Sequence, residues 1–146
     1  SGIGACFYFI KADVAGNVLK SCSANRFSRA RFGALCPRWN VFESFSAAGK
    51  LIIQISQDTE GGLFISVARA VLPHPQSFFD RQPKRAIVLG CSVAHADEVV
   101  YSSMLNLHDP RTFISIGPGC RSCVRADCEH RAMPQSGFFF QPAANA

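Results

Sequence analysis

The sequence predicts an α+β domain in which helices cover an antiparallel sheet of about five strands. Two pairs of β-rich apolar runs are each joined by a short glycine-containing turn, which is typical of hairpins. Two other segments place apolar residues at helical spacing. Because 48% of the 146 residues are apolar and only 17% are charged, the chain has enough apolar surface for one core. Residues 1–146 are therefore predicted to form a single domain.

The strands are predicted from β-rich composition and from the turns between them. Residues 13–17 and 58–62 contain Gly16 and the pair Gly61-Gly62, and each segment predicts the turn of a hairpin. A separate apolar run without such a turn predicts a buried strand, and a last short run precedes a loop rich in glycine and cysteine. The predicted strands are residues 6–10, 18–19, 51–56, 63–71, 86–89 and 113–116.

Two helices are predicted between these strands. Residues 37–45 begin with Pro37, which suits a first helical turn, and carry apolar residues on one face. Residues 93–104 repeat apolar residues at helical spacing, with Ser92 as the N-cap. An antiparallel sheet covered by helices is, by analogy, the architecture of PAS and GAF sensor modules.

Composition excludes several classes of protein. No apolar run approaches the roughly 18 residues of a membrane span, and residues 1–3 show neither the basic start nor the cleavage site of a signal peptide. The seven cysteines cannot all pair with one another, and a reducing cytoplasm disfavours disulfide frameworks. We therefore expect a cytoplasmic protein whose cysteines are metal ligands or free thiols.

The strongest local motif is the sequence Cys120-x2-Cys123-x4-Cys128. The first spacing lets one turn direct two thiolates at a single metal, and thiolates prefer zinc, copper(I) or iron–sulfur clusters. Cys91 is the candidate fourth ligand, because a predicted helix N-terminus would favour its thiolate. His130 is the rival. Spacing does not separate zinc from iron–sulfur, and the alternative is a loop of buried free thiols.

A basic stretch accounts for much of the net charge of +5. No acidic residue lies between Asp13 and Glu43. Arginine binds phosphates and aromatic rings stack on purines, so the stretch can hold coenzyme A or a nucleic-acid strand. The alternative is a solvated basic face over core aromatics. Helix-turn-helix, Walker A and GxGxxG motifs are all missing, which disfavours nucleic acid and nucleotide folds. The candidate ligand-binding residues here are Arg29, Arg31, Arg38 and Trp39.

Two further residues are candidates for chemistry. Arg69 is a lone charge in an apolar strand, and it is either a surface residue of an edge strand or an anion anchor in a pocket. Cys36 precedes a predicted helix start, where its thiol can be activated; with His74 or His95 as base it would make a thiol enzyme.

Four segments of the chain resemble the C-terminal region of the short-chain fatty acyl-CoA regulator family. The family comprises bacterial transcription regulators of the xenobiotic-response-element type that act on propionate, acetate and related acyl-CoA metabolism. The most diagnostic segment contains the three loop cysteines and continues to Arg131-Ala132. The matching segments, in family order, are residues 31–40, 65–69, 89–96 and 116–128.

The resemblance implies a sensor domain rather than an enzyme. Such a domain binds coenzyme A or a short acyl-CoA and signals to an N-terminal helix-turn-helix, which these 146 residues lack and through which DNA would be bound. It also implies that Cys91, Cys120, Cys123 and Cys128 hold an iron–sulfur cluster, which favours that centre over zinc. The alternatives are a cluster-based redox sensor without coenzyme A and a coenzyme A-dependent thiol enzyme using Cys36. A homodimer is compatible with the sequence.

Overall fold

The protein is described by a computed structural model, which covers residues 7–23, 34–71, 83–94 and 107–135. Within these ranges, six strands form one sheet and a single α-helix packs on it. The elements are β1 (Phe7–Asp13), β2 (Val18–Ser23), α1 (Asn40–Ser46), β3 (Ile52–Gln57), β4 (Leu63–Val71), β5 (Arg85–Ser92) and β6 (Phe113–Ser115).

The sheet is mixed rather than wholly antiparallel. Its strand order is β2-β1-β5-β4-β3-β6. Both predicted hairpins are confirmed, since β1 pairs with β2 and β3 with β4 in antiparallel register. The prediction of an all-antiparallel sheet is wrong because β6 runs parallel to β3 at the edge. Two parallel strands need a long crossover connection, so no short turn sequence predicts their pairing. The likeness to PAS and GAF modules is not confirmed.

The turn of the first hairpin is held by Asp13. Its carboxylate accepts hydrogen bonds from the Asn17 backbone N–H at 2.9 Å and from the Asn17 amide at 3.1 Å. Gly16 supplies the positive φ of 84° that the turn requires. Desolvation acts to raise the pKa of Asp13, but the bonds from Asn17 and Ala15 and the nearby Arg85 outweigh it and lower the pKa.

One face of the sheet carries the main core, and α1 packs on it. Alternate residues of a strand point to opposite faces. The residues that point to the face with the main core include Tyr8, Ala68 and Val88. The Trp39 ring lies against Tyr8 with centroids 6.2 Å apart, and Val41 is fully buried beside it. Because α1 has only seven residues and no side-chain cap at its start, its stability comes from this packing.

The strand predicted at residues 86–89 continues to Ser92 as β5, so Cys91 lies inside a strand and not at a helix start. Gly90 permits this continuation, because a Cβ there would overlap the Tyr8 ring. The Ser92 hydroxyl accepts a hydrogen bond from the Ala94 N–H at 3.4 Å, as an N-cap would. From residue 95 onward, the helix predicted at 93–104 lies outside the described residues.

In the described ranges, no helix has the length and apolar character needed to cross a bilayer.

Candidate functional site

The cysteine loop, residues 116–133, follows β6 and is fastened to the end of β3. The Ile116 N–H donates to the Gln57 carbonyl at 2.9 Å. The Arg125 guanidinium then donates to the carbonyls of Gln57 at 3.3 Å, of Asp58 at 3.0 Å and of Ile116 at 3.2 Å. One side chain therefore joins the loop to the second hairpin.

Arg131 organises the interior of the same loop. Its Nη1 donates to the carbonyls of Cys120 at 2.7 Å and Met133 at 3.2 Å. Its Nη2 donates to those of Cys123 at 3.0 Å and Arg125 at 2.6 Å. Neither arginine was predicted from the sequence to have this role. The available signal was a loop with little secondary structure, whose backbone carbonyls must find donors elsewhere.

Four cysteines line one narrow cavity between this loop and the segment before α1. Cys36 and Cys123 are buried, while Cys120 and Cys128 are half-buried. Gly117 makes the close packing possible, because a Cβ at that position would lie 2.6 Å from the Cys123 sulfur. The structure therefore brings Cys36 to the three loop cysteines.

Backbone N–H groups are directed at two of the four sulfurs. The Cys36 sulfur accepts hydrogen bonds from the backbone of Arg38 and Gly117. The Cys120 sulfur accepts one from the Ala132 N–H at 3.4 Å. Burial raises the pKa of the Cys36 thiol, and the two N–H bonds do not fully offset that effect. A raised pKa is the opposite of what an activated nucleophile needs.

A buried polar network holds the segment that carries Cys36. The Gln54 amide donates to the Arg38 carbonyl at 2.9 Å and accepts from the Asn40 N–H at 3.3 Å. The Asn40 side chain donates to the carbonyls of Ile52 at 2.8 Å and Ser66 at 3.2 Å. The start of α1 is thus attached to β3 and β4, which fixes the position of Cys36 beside the loop.

Cys91, the sequence-based candidate for fourth ligand, lies elsewhere. It is fully buried and packs with Ile65 and Leu107 on the sheet face opposite α1. The rival His130 lines the thiol cavity but is exposed. Among the residues that the structure describes, no three Cys, His, Asp or Glu side chains are arranged to hold a metal ion. The prediction of a metal at the loop therefore stays a prediction.

The three candidate coenzyme A contacts that the structure describes are not brought together either. Trp39 is only 2% exposed and is a core residue, so its ring is not available to stack on a purine. Arg38 is half-buried beside the thiol cavity. Arg69 is exposed on the opposite face of the sheet, in β4, which is an internal strand and not an edge. Arg29 and Arg31 lie outside the described residues, as do His74 and His95.

A larger cavity of about 440 Å³ adjoins the cysteine loop. Its walls are largely apolar and come from the turn of the first hairpin, from Leu35 and Phe42, and from the loop residues Cys120 and Met133. Arg121 supplies a cation at the wall. Ala34 also lines the cavity, and Arg31 precedes it by three positions in the sequence. Its volume falls within the usual range for small-molecule sites, about 300–1,000 Å³.

Comparison with known proteins gives one consistent result. The model of the family described as short-chain fatty acyl coenzyme A regulator, C-terminal, matches residues 2–145. A propionyl-CoA carboxylase regulator from Cereibacter sphaeroides is 40% identical over 131 residues, which are 90% of this chain and 28% of that protein. The HTH-type transcriptional regulator RamB from Mycobacterium tuberculosis is 41% identical over 136 residues, 92% of this chain and 29% of its own length.

A solved structure agrees with these relatives. A Mycobacterium tuberculosis transcriptional regulator superposes with a TM-score of 0.82 at 36% identity, over 90% of this chain and 40% of that one. The chain spans less than a third of the length of the two curated relatives.

Proposed function

We propose that this chain, which belongs to the short-chain fatty acyl coenzyme A regulator family and matches the C-terminal region of that family, is the effector domain of a transcription regulator. In this proposal the domain binds coenzyme A or a short-chain acyl-CoA beside a centre formed by Cys36, Cys120, Cys123 and Cys128. DNA is bound by a helix-turn-helix domain outside these 146 residues. The relatives are regulators rather than enzymes, which supports a binding role.

The observation that carries the proposal is that Cys120 lines both cavities. The loop that contributes to the 440 Å³ cavity also contributes three of the four thiols. A ligand in the larger cavity would therefore touch the loop directly. The methylene and dimethyl groups of the pantetheine arm suit the largely apolar walls, and Arg121 supplies a cation for the phosphates. We propose Arg31, three positions before the lining residue Ala34 in the sequence, as a second cation. Ligand occupancy would then change the conformation or the mobility of the cysteine loop.

The four thiols have the chemistry that a soft metal needs. They form an all-sulfur donor set, and backbone N–H groups already point at the sulfurs of Cys36 and Cys120. Hydrogen bonds to sulfur stabilise and tune metal-bound thiolates. Since the side chains are not arranged around a common point, ligation would require them to rotate towards one another. An iron–sulfur cluster would supply a one-electron redox couple there, and zinc would supply a structural cross-link.

A single anaerobic purification tests both parts of the proposal. Native mass spectrometry should show metal in the unaltered chain and in Cys91→Ala, and a loss of metal in Cys36→Ser. Calorimetry should show binding of acetyl-CoA, propionyl-CoA or free coenzyme A. Arg31→Gln and Arg121→Gln should each weaken that binding by about 1–3 kcal/mol for a direct contact, and Lys50→Gln should not.

Each failure has a distinct meaning. Loss of metal in Cys91→Ala but not in Cys36→Ser would overturn the ligand set. Metal without any binding of coenzyme A would favour a cluster-based redox sensor. Coenzyme A turnover that disappears in Cys36→Ser would favour the thiol enzyme. Protein that is well folded and binds neither metal nor coenzyme A would overturn the proposal for this domain.

A further inference from the structure

The sheet face opposite α1, which we call the second face, is apolar over most of its area. Directly opposite residues in the strand pairings place side chains in rows across the sheet. The row nearest the fully buried Cys91 consists of Phe7, Cys91 and Ile65, and the next consists of Phe9, Leu89 and Val67. Leu89 is 48% exposed, so this apolar surface is partly open to solvent.

The end of the second face carries every cation of the six strands. Lys11 pairs with Lys20 on β2 and with Ile87 on β5, and Ile87 pairs with Arg69 on β4. Arg85 lies two residues before Ile87 in β5, so its side chain is on the same face of the sheet. A like-charged pair directly opposite across two strands, such as Lys11 and Lys20, is destabilising without a counter-charge. The arrangement suits an anion placed over Ile87.

Acidic residues on the strands do not neutralise these cations. In the six described strands the only carboxylate is that of Asp13, beside Arg85. It already accepts two hydrogen bonds from Asn17 in the hairpin turn. Lys11, Lys20 and Arg69 therefore have no carboxylate partner among the described strand residues.

A cavity joins the apolar rows to the cationic end. It has a volume of about 260 Å³ and is lined by residues that include Phe7, Val67 and Leu89, with Arg69 at its charged end. This volume lies below the roughly 300–1,000 Å³ of sites for drug-sized ligands. The cavity is thus too small for coenzyme A and is large enough for an aliphatic chain.

We propose that the second face binds an aliphatic monocarboxylate of short or medium chain length. The chain lies in the cavity over Val67 and Leu89, and the carboxylate meets the planar guanidinium of Arg69, whose donors match two carboxylate oxygens. Lys11 lies two strand spacings from Arg69, about 10 Å, and its flexible side chain reaches towards the same anion. This site is separate from the coenzyme A cavity and does not depend on the proposed function.

The test uses the 146-residue chain with octanoate as the probe. Calorimetry should show saturable binding of octanoate, and shortening the acid from octanoate to hexanoate to butanoate should weaken it by about fourfold for each methylene removed. Backbone amide shifts in NMR spectra should move at β1, β4 and β5 and not in the cysteine loop. Octanol, which has the same chain and no charge, should bind at least about tenfold more weakly.

Two variants locate the headgroup. Arg69→Gln should weaken octanoate at least about tenfold and leave octanol unchanged. Lys50→Gln, an exposed cation in the turn after α1, should bind both as the unaltered chain does. The absence of saturable octanoate binding would overturn the proposal. The same result is expected if other residues of the chain fill the cavity. Shifts confined to the cysteine loop, or binding that is insensitive to Arg69→Gln, would overturn it equally.

Discussion

Gly117 shows how little space the cysteine loop leaves around its sulfurs. Its backbone is not in the left-handed region, so the requirement for glycine there is steric and not conformational. The Cys123 sulfur occupies the volume where a Cβ would stand. Cys123 is 7% exposed, so its sulfur can move away only by displacing its neighbours or by turning towards solvent.

Gly117→Ala should therefore expel the Cys123 sulfur from its position. We expect a loss of about 1–3 kcal/mol in the free energy of unfolding, as is usual when a packed site is overfilled. In chelator-treated protein, alkylation of Cys123 should also become faster, and mass spectrometry of peptides would measure it. Ser122→Ala, at an exposed position of the same loop, is the control and should change neither quantity. An unchanged alkylation rate in Gly117→Ala would contradict the packing described.

Single residues also mark the limit of what the sequence predicts. The three loop cysteines line one cavity, and the metal that their spacing predicted there stays a prediction. Cys91 was the candidate fourth ligand because the strand was predicted to end at residue 89, whereas β5 continues three residues further to Ser92. No sequence signal singled out Cys36 as a ligand. Trp39 was assigned to a ligand because arginines surround it in sequence, whereas packing against Tyr8 determines its place.

Besides its packing on the core, helix α1 is held by side-chain hydrogen bonds from the sheet, since its N-cap residue makes no side-chain cap. Gln54 is the centre of that attachment. Its side-chain N–H donates to the Arg38 carbonyl. Its side-chain oxygen accepts from the Asn40 N–H and, at 2.8 Å, from the Ser56 hydroxyl. These groups are buried or partly buried, so solvent could not readily replace Gln54 as their hydrogen-bond partner.

Gln54→Ala should lower the free energy of unfolding by about 1–3 kcal/mol, because it leaves buried polar groups unsatisfied. Hydrogen exchange should become faster at the amides of residues 36–40 before it does so in the strands. Urea denaturation and exchange mass spectrometry would measure the two effects. Gln57→Ala is a matched control from the same strand, whose side chain points to the other face, and we expect a change within about 0.5 kcal/mol. Equal effects of the two substitutions would argue against the network.

The elements were predicted where their signals are local. Both hairpins and α1 were found because turn residues and helical spacing act over a few positions. The parallel pairing of β6 with β3 was not found, because it joins Ile55 to Phe113 across 58 positions of sequence and no short motif encodes it. The helix predicted at residues 93–104 lies largely outside the described residues and stays a prediction.

At the scale of the whole molecule, the sheet and the cysteine loop are stabilised by different means. The sheet has an apolar core on each face, with Tyr8 and Val88 on one side and Ile65 and Cys91 on the other. The loop has exposed apolar residues such as Val124, which is 69% exposed, and its order comes from hydrogen bonds donated by two guanidinium groups. Such a region should open without unfolding the sheet.

Arg131→Gln tests that separation. The substitution removes a charged donor that serves the carbonyls of Cys120, Cys123, Arg125 and Met133, and hydrogen bonds to charged groups are each worth about 1.5–3 kcal/mol. Amides of residues 117–133 should exchange about 10 to 100 times faster, while those of β1, β4 and β5 keep their protection. Arg131→Lys should rescue only in part, because an ammonium cannot span four carbonyls as the planar guanidinium does. Arg121→Gln, an exposed arginine in the same loop, is the charge-matched control and should leave exchange unchanged. Loss of protection throughout the sheet would instead mean that loop and sheet unfold as one cooperative unit, and ligand signals at the loop would then reach the whole domain.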